Sequence, residues 1–173
     1  NVRTALALTV LSILTAAYLA ELWLRWTMTH DLWNLAGRLG LPYDGRRASE
    51  VARDLQAEGQ RAFPEAHPID LLPRAVRQGL VPLAGVSGVT TVLCNETGTY
   101  VTYPSDEHGF RNPPGRWEAG TLQVAALGDS FTHGMCVADG LHAVDRIRRA
   151  FPRTLNLGIS GDGPLLELAT LKE

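Results

Sequence analysis

From Thr4 to Leu24 the chain reads TALALTVLSILTAAYLAELWL, with Glu21 as its only charge. A run of that length and polarity leaves few ways to fold. At 1.5 Å per residue, about 20 helical residues cross the roughly 30 Å hydrocarbon core of a bilayer. Arg3 and Arg25 bracket the run, and Trp23 and Trp26 flank Arg25 as an interfacial aromatic belt does. Glu21 falls within that belt, away from the bilayer centre where a charge is costly. A cleavable signal peptide and a buried core helix are the rival readings. Against the first, the run exceeds a typical signal h-region, no Ala-x-Ala site precedes a polar linker, and the first residue is Asn rather than Met. Residues 1–28 are therefore expected to be a transmembrane anchor, with the lipid bilayer as a partner.

Orientation is contested within the sequence itself. Arg3 stands on one side of the run, and Arg25, His30, Arg38, Arg46 and Arg47 on the other. That count places the bulk of the chain in the cytoplasm. The opposite placement follows from the family resemblance below.

The remainder of the 173 residues suits one ordinary domain. Hydrophobic residues make up 45% of the chain and charged residues 20%, which excludes a disordered or low-complexity protein. The net charge is −2 without a basic run, so nucleic acid is not an expected partner. Of the cations all but Lys172 are Arg, a compositional bias without functional meaning. Two cysteines, Cys94 and Cys136, are too few for a disulfide scaffold or a four-Cys zinc site, and no metal or cofactor is expected.

Past the anchor, residues 29–118 read as a helical and β-hairpin region. Asp31 to Gly40 can form a helix capped by Asp31 and ended by Gly40. Ser49 to Arg61 is helical by pattern, with Val51, Ala52, Leu55 and Ala62 at helical spacing and Glu50, Asp54 and Glu58 on the wet face. Phe63 to Pro73 holds three prolines and is expected to contain no regular element. Val89–Cys94 and Thr99–Tyr103 are strand-like across Asn95-Glu96-Thr97-Gly98, which spells a hairpin. Asn95-Glu96-Thr97 also matches a glycosylation sequon, but a loop tip of this composition is more commonly a plain turn.

Residues 119–173 change character. Leu122–Leu127 reads as a buried parallel strand ending in Gly128. Leu141–Phe151 reads as a helix with Val144, Ile147 and Phe151 inward and Arg146, Arg148 and Arg149 outward. Thr154–Leu157 is a second strand, Gly158–Gly163 a loop, and Pro164 opens a final helix. Together they make a βαβα unit.

Chemistry is concentrated at Gly128-Asp129-Ser130-Phe131-Thr132-His133-Gly134. A serine on a tight strand-to-helix turn is pushed off the sheet top, where nearby backbone N–H groups can face a bound atom. The segment resembles the first block of the SGNH (GDSL) hydrolase family, Gly-Asp-Ser-x-x-x-Gly. Asn156 to Pro164 resembles its second block, with Gly161 where the family places an oxyanion-hole glycine. Leu93-Cys94-Asn95-Glu96 and Tyr103 to Pro113 look like the lead-in of membrane-anchored bacterial members, so the likeness spans residues 80–173. The resemblance implies a flavodoxin-like α/β domain, present here as its first part, on the periplasmic side of a bacterial inner membrane. It also implies that Ser130 attacks an ester carbonyl while the Ser130 and Gly161 amides receive the oxyanion. Asp129, Gly128 and Gly134 would support the turn, Asp129 by hydrogen bonds rather than by proton transfer.

Two blocks of that family have no counterpart after Gly163: a Gly-x-Asn-Asp and the Asp-x-x-His that supplies the base. Asp139 and His142 have the latter spacing in the wrong chain order, and read as the start of a helix. His133 adjoins the motif without the placement of a base, and His108 is the more open of the remaining histidines. Two strands with two helices do not make a complete α/β sheet, so the domain either continues or is covered by another subunit. With the C-terminal part outside the cytoplasm, a Cys94–Cys136 disulfide would fasten the hairpin beside the serine turn; the other reading is two separate buried thiols. The expected function is a membrane-anchored ester hydrolase acting on acyl or O-acetyl groups. The alternative is a non-catalytic subunit of an integral-membrane complex, docking through the same domain.

Overall fold

The computed structural model describes residues 2–117 and 122–173, and of residues 28–34 the backbone alone. The boundary expected between 118 and 119 lies outside the described residues. The chain divides into two compact units, one ending at Gly45 and the other covering Arg46–Glu173. The architecture is mixed α/β, with an N-terminal apolar helix and two small sheets.

The first unit is one helix, α1, Val2–Leu39. It runs unbroken through Asp31, which is therefore no cap, because neither Gly nor Pro occurs between Val2 and Ala36. Gly40 does end it. Its amide and that of Leu41 return to the carbonyls of Gly37 and Ala36, the paired pattern of a glycine-terminated helix. Within the apolar part, the Thr9, Ser12 and Thr15 hydroxyls donate to carbonyls one turn back, at 3.0, 2.8 and 2.9 Å. Their polarity is thus satisfied without leaving the helix. Glu21 pairs with Arg25 at 2.7 Å, leaving no lone charge on that face. Val2–Thr27 has a mean hydropathy of 1.9 and is long and apolar enough to cross a membrane. None of it is buried by the protein, which argues against a core helix.

The second unit begins with α2, Ala48–Ala57, whose Glu50 carboxylate accepts from the Arg47 amide at 2.7 Å. Val51 and Ala52 face inward and pack with Val92. Next come β1 (Ala62–Pro64), α3 (Pro68–Ala75) with a 3₁₀ turn at Val76–Gln78, β2 (Thr90–Cys94) and β3 (Val101–Pro104). The hairpin is as expected, antiparallel with Thr91 opposite Tyr103. The Asn95 side chain closes its turn by accepting from Gly98 N at 2.8 Å.

The expectation for Phe63–Pro73 is overturned, because that stretch supplies parts of both β1 and α3. Pro64 is the last residue of an edge strand, Pro68 is the first residue of a helix, and Pro73 lies in the last turn. The first two positions need no N–H, whereas Pro73 stands inside α3 and forgoes the bond to the Ile69 carbonyl.

The last third contains β4 (Val124–Gly128), α4 (Ser130–His133), α5 (Ala143–Ala150), β5 (Thr154–Gly158) and α6 (Pro164–Lys172). Strands β4 and β5 pair in parallel, with Val124 opposite Thr154 and Gly128 opposite Gly158. Every residue of β5 is buried, but β4 is half-exposed along its length, contrary to the buried strand expected there. Both strands are paired along one edge only, and the difference is that Asn112 and Arg148 side chains cover the free edge of β5.

The face reading of α5 also needs correction. Val144 is buried, yet Ile147 and Phe151 are exposed, while the Arg148 side chain is only 12% exposed. The free edge of β5 explains the reversal. Arg148 Nε donates to the Thr154 carbonyl at 3.2 Å. Beside it, the Asn112 side chain accepts from the Asn156 amide at 2.7 Å and donates to the Asn156 carbonyl at 3.0 Å. Two side chains thus meet hydrogen bonds that a further strand would otherwise make. Asn112 is held by Asp106, whose buried carboxylate also accepts from the His108 and Phe110 amides and from Trp117 Nε1.

Candidate functional site

Strand β4 stops at Gly128 because the chain must turn at once into α4. A side chain on Gly128, or on Gly158 opposite, would collide with Thr132. Asp129 caps the turn, its carboxylate accepting from Phe131 N at 3.0 Å. Gly134 ends the helix at φ 79°, where a side chain would strike the His142 ring.

Ser130 is consequently the first residue of α4, half-buried at the end of the strand. Its hydroxyl makes no hydrogen bond among the described residues. The Gly161 turn follows the neighbouring strand. Pairing of Gly128 with Gly158 and donation from Ile159 N to the Gly128 carbonyl at 3.1 Å bring the two turns side by side. Gly161 is exposed, with φ 84°, and a Cβ there would stand 3.5 Å from Ile69 of α3. Among the described residues, neither the Ser130 nor the Gly161 amide has an acceptor. The geometry gathers a serine hydroxyl and two uncommitted amides at the same end of a parallel strand pair.

Among the described residues no histidine hydrogen-bonds that serine. His133 is fully buried and turned away, with Nδ1 3.3 Å from Ser160 Oγ and Nε2 3.2 Å from Tyr103 Oη. Burial, aided by the nearby Arg111 charge, pushes it down to about 3, so its ring is neutral. His142 caps α5 and pairs with Asp145 at 2.8 Å, and burial lowers its pKa too. Asp139 is bound to Arg111 at 2.6 Å. Asp139, His142 and Asp145 offer ligand atoms within 4.8 Å of one another. All three are nevertheless engaged, Asp145 additionally by Arg148 at 2.7 Å, and they bracket the start of α5. A cavity of about 430 Å³ borders this bracket and the Arg111 side chain; Ser130 and Gly161 are not among its walls. His108 is exposed and packs at a tilt against Trp117, with ring centroids 4.4 Å apart.

Cys94 and Cys136 form a disulfide with Cα atoms 5.5 Å apart. It fastens the end of β2 to the segment just after α4, beside the serine turn.

Sequence reasoning passed over the polar cluster beneath the Gly161 turn. Glu65, between β1 and α3, lies 3.4 Å from His133 Nδ1 and 3.5 Å from His67 Nε2. His67 Nδ1 donates to the Ser160 carbonyl at 3.1 Å. Burial holds the Glu65 carboxyl above its usual range, against the opposing pull of His67 and Arg111. Arg111 lies over the Tyr103 ring, 4.9 Å from its centroid, and burial with the Glu65 charge raises the Tyr103 pKa. Glu65 and His67 are hidden among prolines, and only their short spacing hinted at a shared site.

No family model, curated protein or solved structure matches this chain.

Proposed function

We propose that the chain is a membrane-tethered serine ester hydrolase of the SGNH type, or the part of one that carries its nucleophile. In this reading Ser130 attacks the carbonyl of an acyl or O-acetyl ester, and the Ser130 and Gly161 amides receive the oxygen charge as it develops. One observation carries the reading: an uncommitted serine hydroxyl and two uncommitted amides meet where Gly128 pairs with Gly158. Helix α1 serves as a single-pass anchor, and residues 46–173 lie on the extracytoplasmic side. The Cys94–Cys136 bond supports that side, since disulfides persist in oxidising compartments.

A second reading is favoured by the histidines. Because His67, His108, His133 and His142 all make their contacts elsewhere, no base is supplied to Ser130 from the described residues. A domain that keeps the turn without the base suits a non-catalytic subunit of a membrane complex. A fluorophosphonate probe separates the two. Full-length protein in detergent is expected to label at Ser130, with Ser130→Ala abolishing the label and p-nitrophenyl acetate hydrolysis alike. Failure of the folded wild type to label rejects the hydrolase reading and leaves the subunit.

A further inference from the structure

The Gly161 turn is gripped from below by an element remote in sequence. Ser160, the residue before Gly161, is buried and held through both of its oxygens. Its carbonyl takes a hydrogen bond from His67 Nδ1 at 3.1 Å, and its hydroxyl lies 3.3 Å from His133 Nδ1. A carboxylate stands between the two imidazoles, with Glu65 Oε2 3.5 Å from His67 and Oε1 3.4 Å from His133. Glu65's side chain is 8% exposed and His133's is sealed, so neither group has bulk water as an alternative partner. Because a carbonyl can only accept, His67 Nδ1 carries a hydrogen, and this fixes the ring with Nε2 toward Glu65. Ile69, two residues past His67, lies on the same side, 3.5 Å from where a Cβ on Gly161 would stand.

We propose that Glu65 and His67 are positioning residues: they clamp Ser160 and thereby hold the Gly161 amide in place to receive the oxyanion. The proposal rests on the hydrolase reading for its purpose, while the clamp itself is independent of that chemistry. Neither residue is placed in contact with a reacting atom. The clamp also explains why a strand–helix connection ahead of the hairpin folds against a loop some ninety residues later.

The test uses full-length protein carrying His67→Leu, His67→Asn or Glu65→Gln. The Asn side-chain NH₂ can take the place of His67 Nδ1 as a donor to Ser160, and Leu cannot. Hydrogen exchange read by mass spectrometry over residues 159–163 is expected to speed up about tenfold or more in His67→Leu and Glu65→Gln, while His67→Asn stays within about threefold of wild type. Fluorophosphonate labelling of Ser130 is expected to slow in the same order. Unchanged exchange in His67→Leu, or an Asn variant no better than Leu, overturns the clamp. Should His67→Leu fail to fold, the comparison of wild type with His67→Asn and Glu65→Gln decides by the same reading. A wild type that does not label, but whose exchange follows the expected order, rejects the hydrolase and keeps the clamp.

Discussion

At Asp162 a carboxyl group is held against its preference. Burial, with the Glu167 charge nearby, pushes it up to about 6, and the opposing pull of His67 does not restore it. Its Oδ1 is buried without a hydrogen-bond partner among the described residues. The folded state therefore holds a proton at Asp162 at a pH where the unfolded chain has released it. Stability from this group is present below the ordinary value of 3.8 and lost as pH rises through about 6. Asp162→Asn is accordingly expected to raise unfolding free energy by about 2–3 kcal/mol near pH 8 and by nearly nothing near pH 4. Urea titrations at the two pH values check this; an equal effect at both rules out the charge as the cause. The same scale shows what the sequence could convey. The turns that carry Asp129, Ser130 and Gly161 were legible because a turn advertises itself in local residue types, while the roles given to these residues rest on the family resemblance. Glu65 and His67 were not, because their significance comes from Ser160, which no local pattern connects to them.

Among the elements, β5 depends most on side chains that are not its own. Asn112 serves Asn156 as both donor and acceptor, and its amide also meets Asp106 at 2.8 Å. Asn112→Ala leaves these buried groups unmet and is expected to cost about 2–4 kcal/mol. Asn112→Asp should not rescue it, because a carboxylate cannot donate to the Asn156 carbonyl and adds charge beside Asp106. Equilibrium unfolding of the two variants checks the ranking; full recovery with Asp would show that the donated hydrogen bonds do not matter. Strands β2 and β3 were legible from β-branched residues about a turn, and β4 and β5 from short runs rich in apolar residues ending at glycine. The inward face of α5 was not, because Arg148 turns in to serve the Thr154 carbonyl, a tertiary demand that outweighs hydrophobic periodicity. The short elements between Ala62 and Ala75 are not legible where proline marks a break: Pro64 ends an edge strand and Pro68 opens a helix, both permitted, while Pro73 sits inside α3 against the local rule.

Across the whole of residues 46–173, the apolar clusters are small and separate: Phe110 with Leu155, Leu157 and Ile159 in one, Val51 with Ala52 and Val92 in the other. The hairpin sheet and the parallel pair are joined by the Tyr103–His133–Ser160–Glu65 cluster and by the disulfide. The bond closes a loop with a sequence separation of 42 residues, so its reduction is expected to remove about 4 kcal/mol of stability. Denaturant midpoints with and without reductant, repeated on the Cys94→Ser/Cys136→Ser double variant, measure it; a reductant effect that persists in the double variant has another origin. Pairing of these cysteines was readable only as a conditional, since the sequence places neither residue beside the other.

The occupied outer margin of β5 gives the parallel layer a direction. With Asn112 and Arg148 already bound to the peptide groups of Asn156 and Thr154, a newcomer strand has no vacancy there. Enlargement of the layer, by whatever polypeptide, must proceed alongside Val124–Gly128.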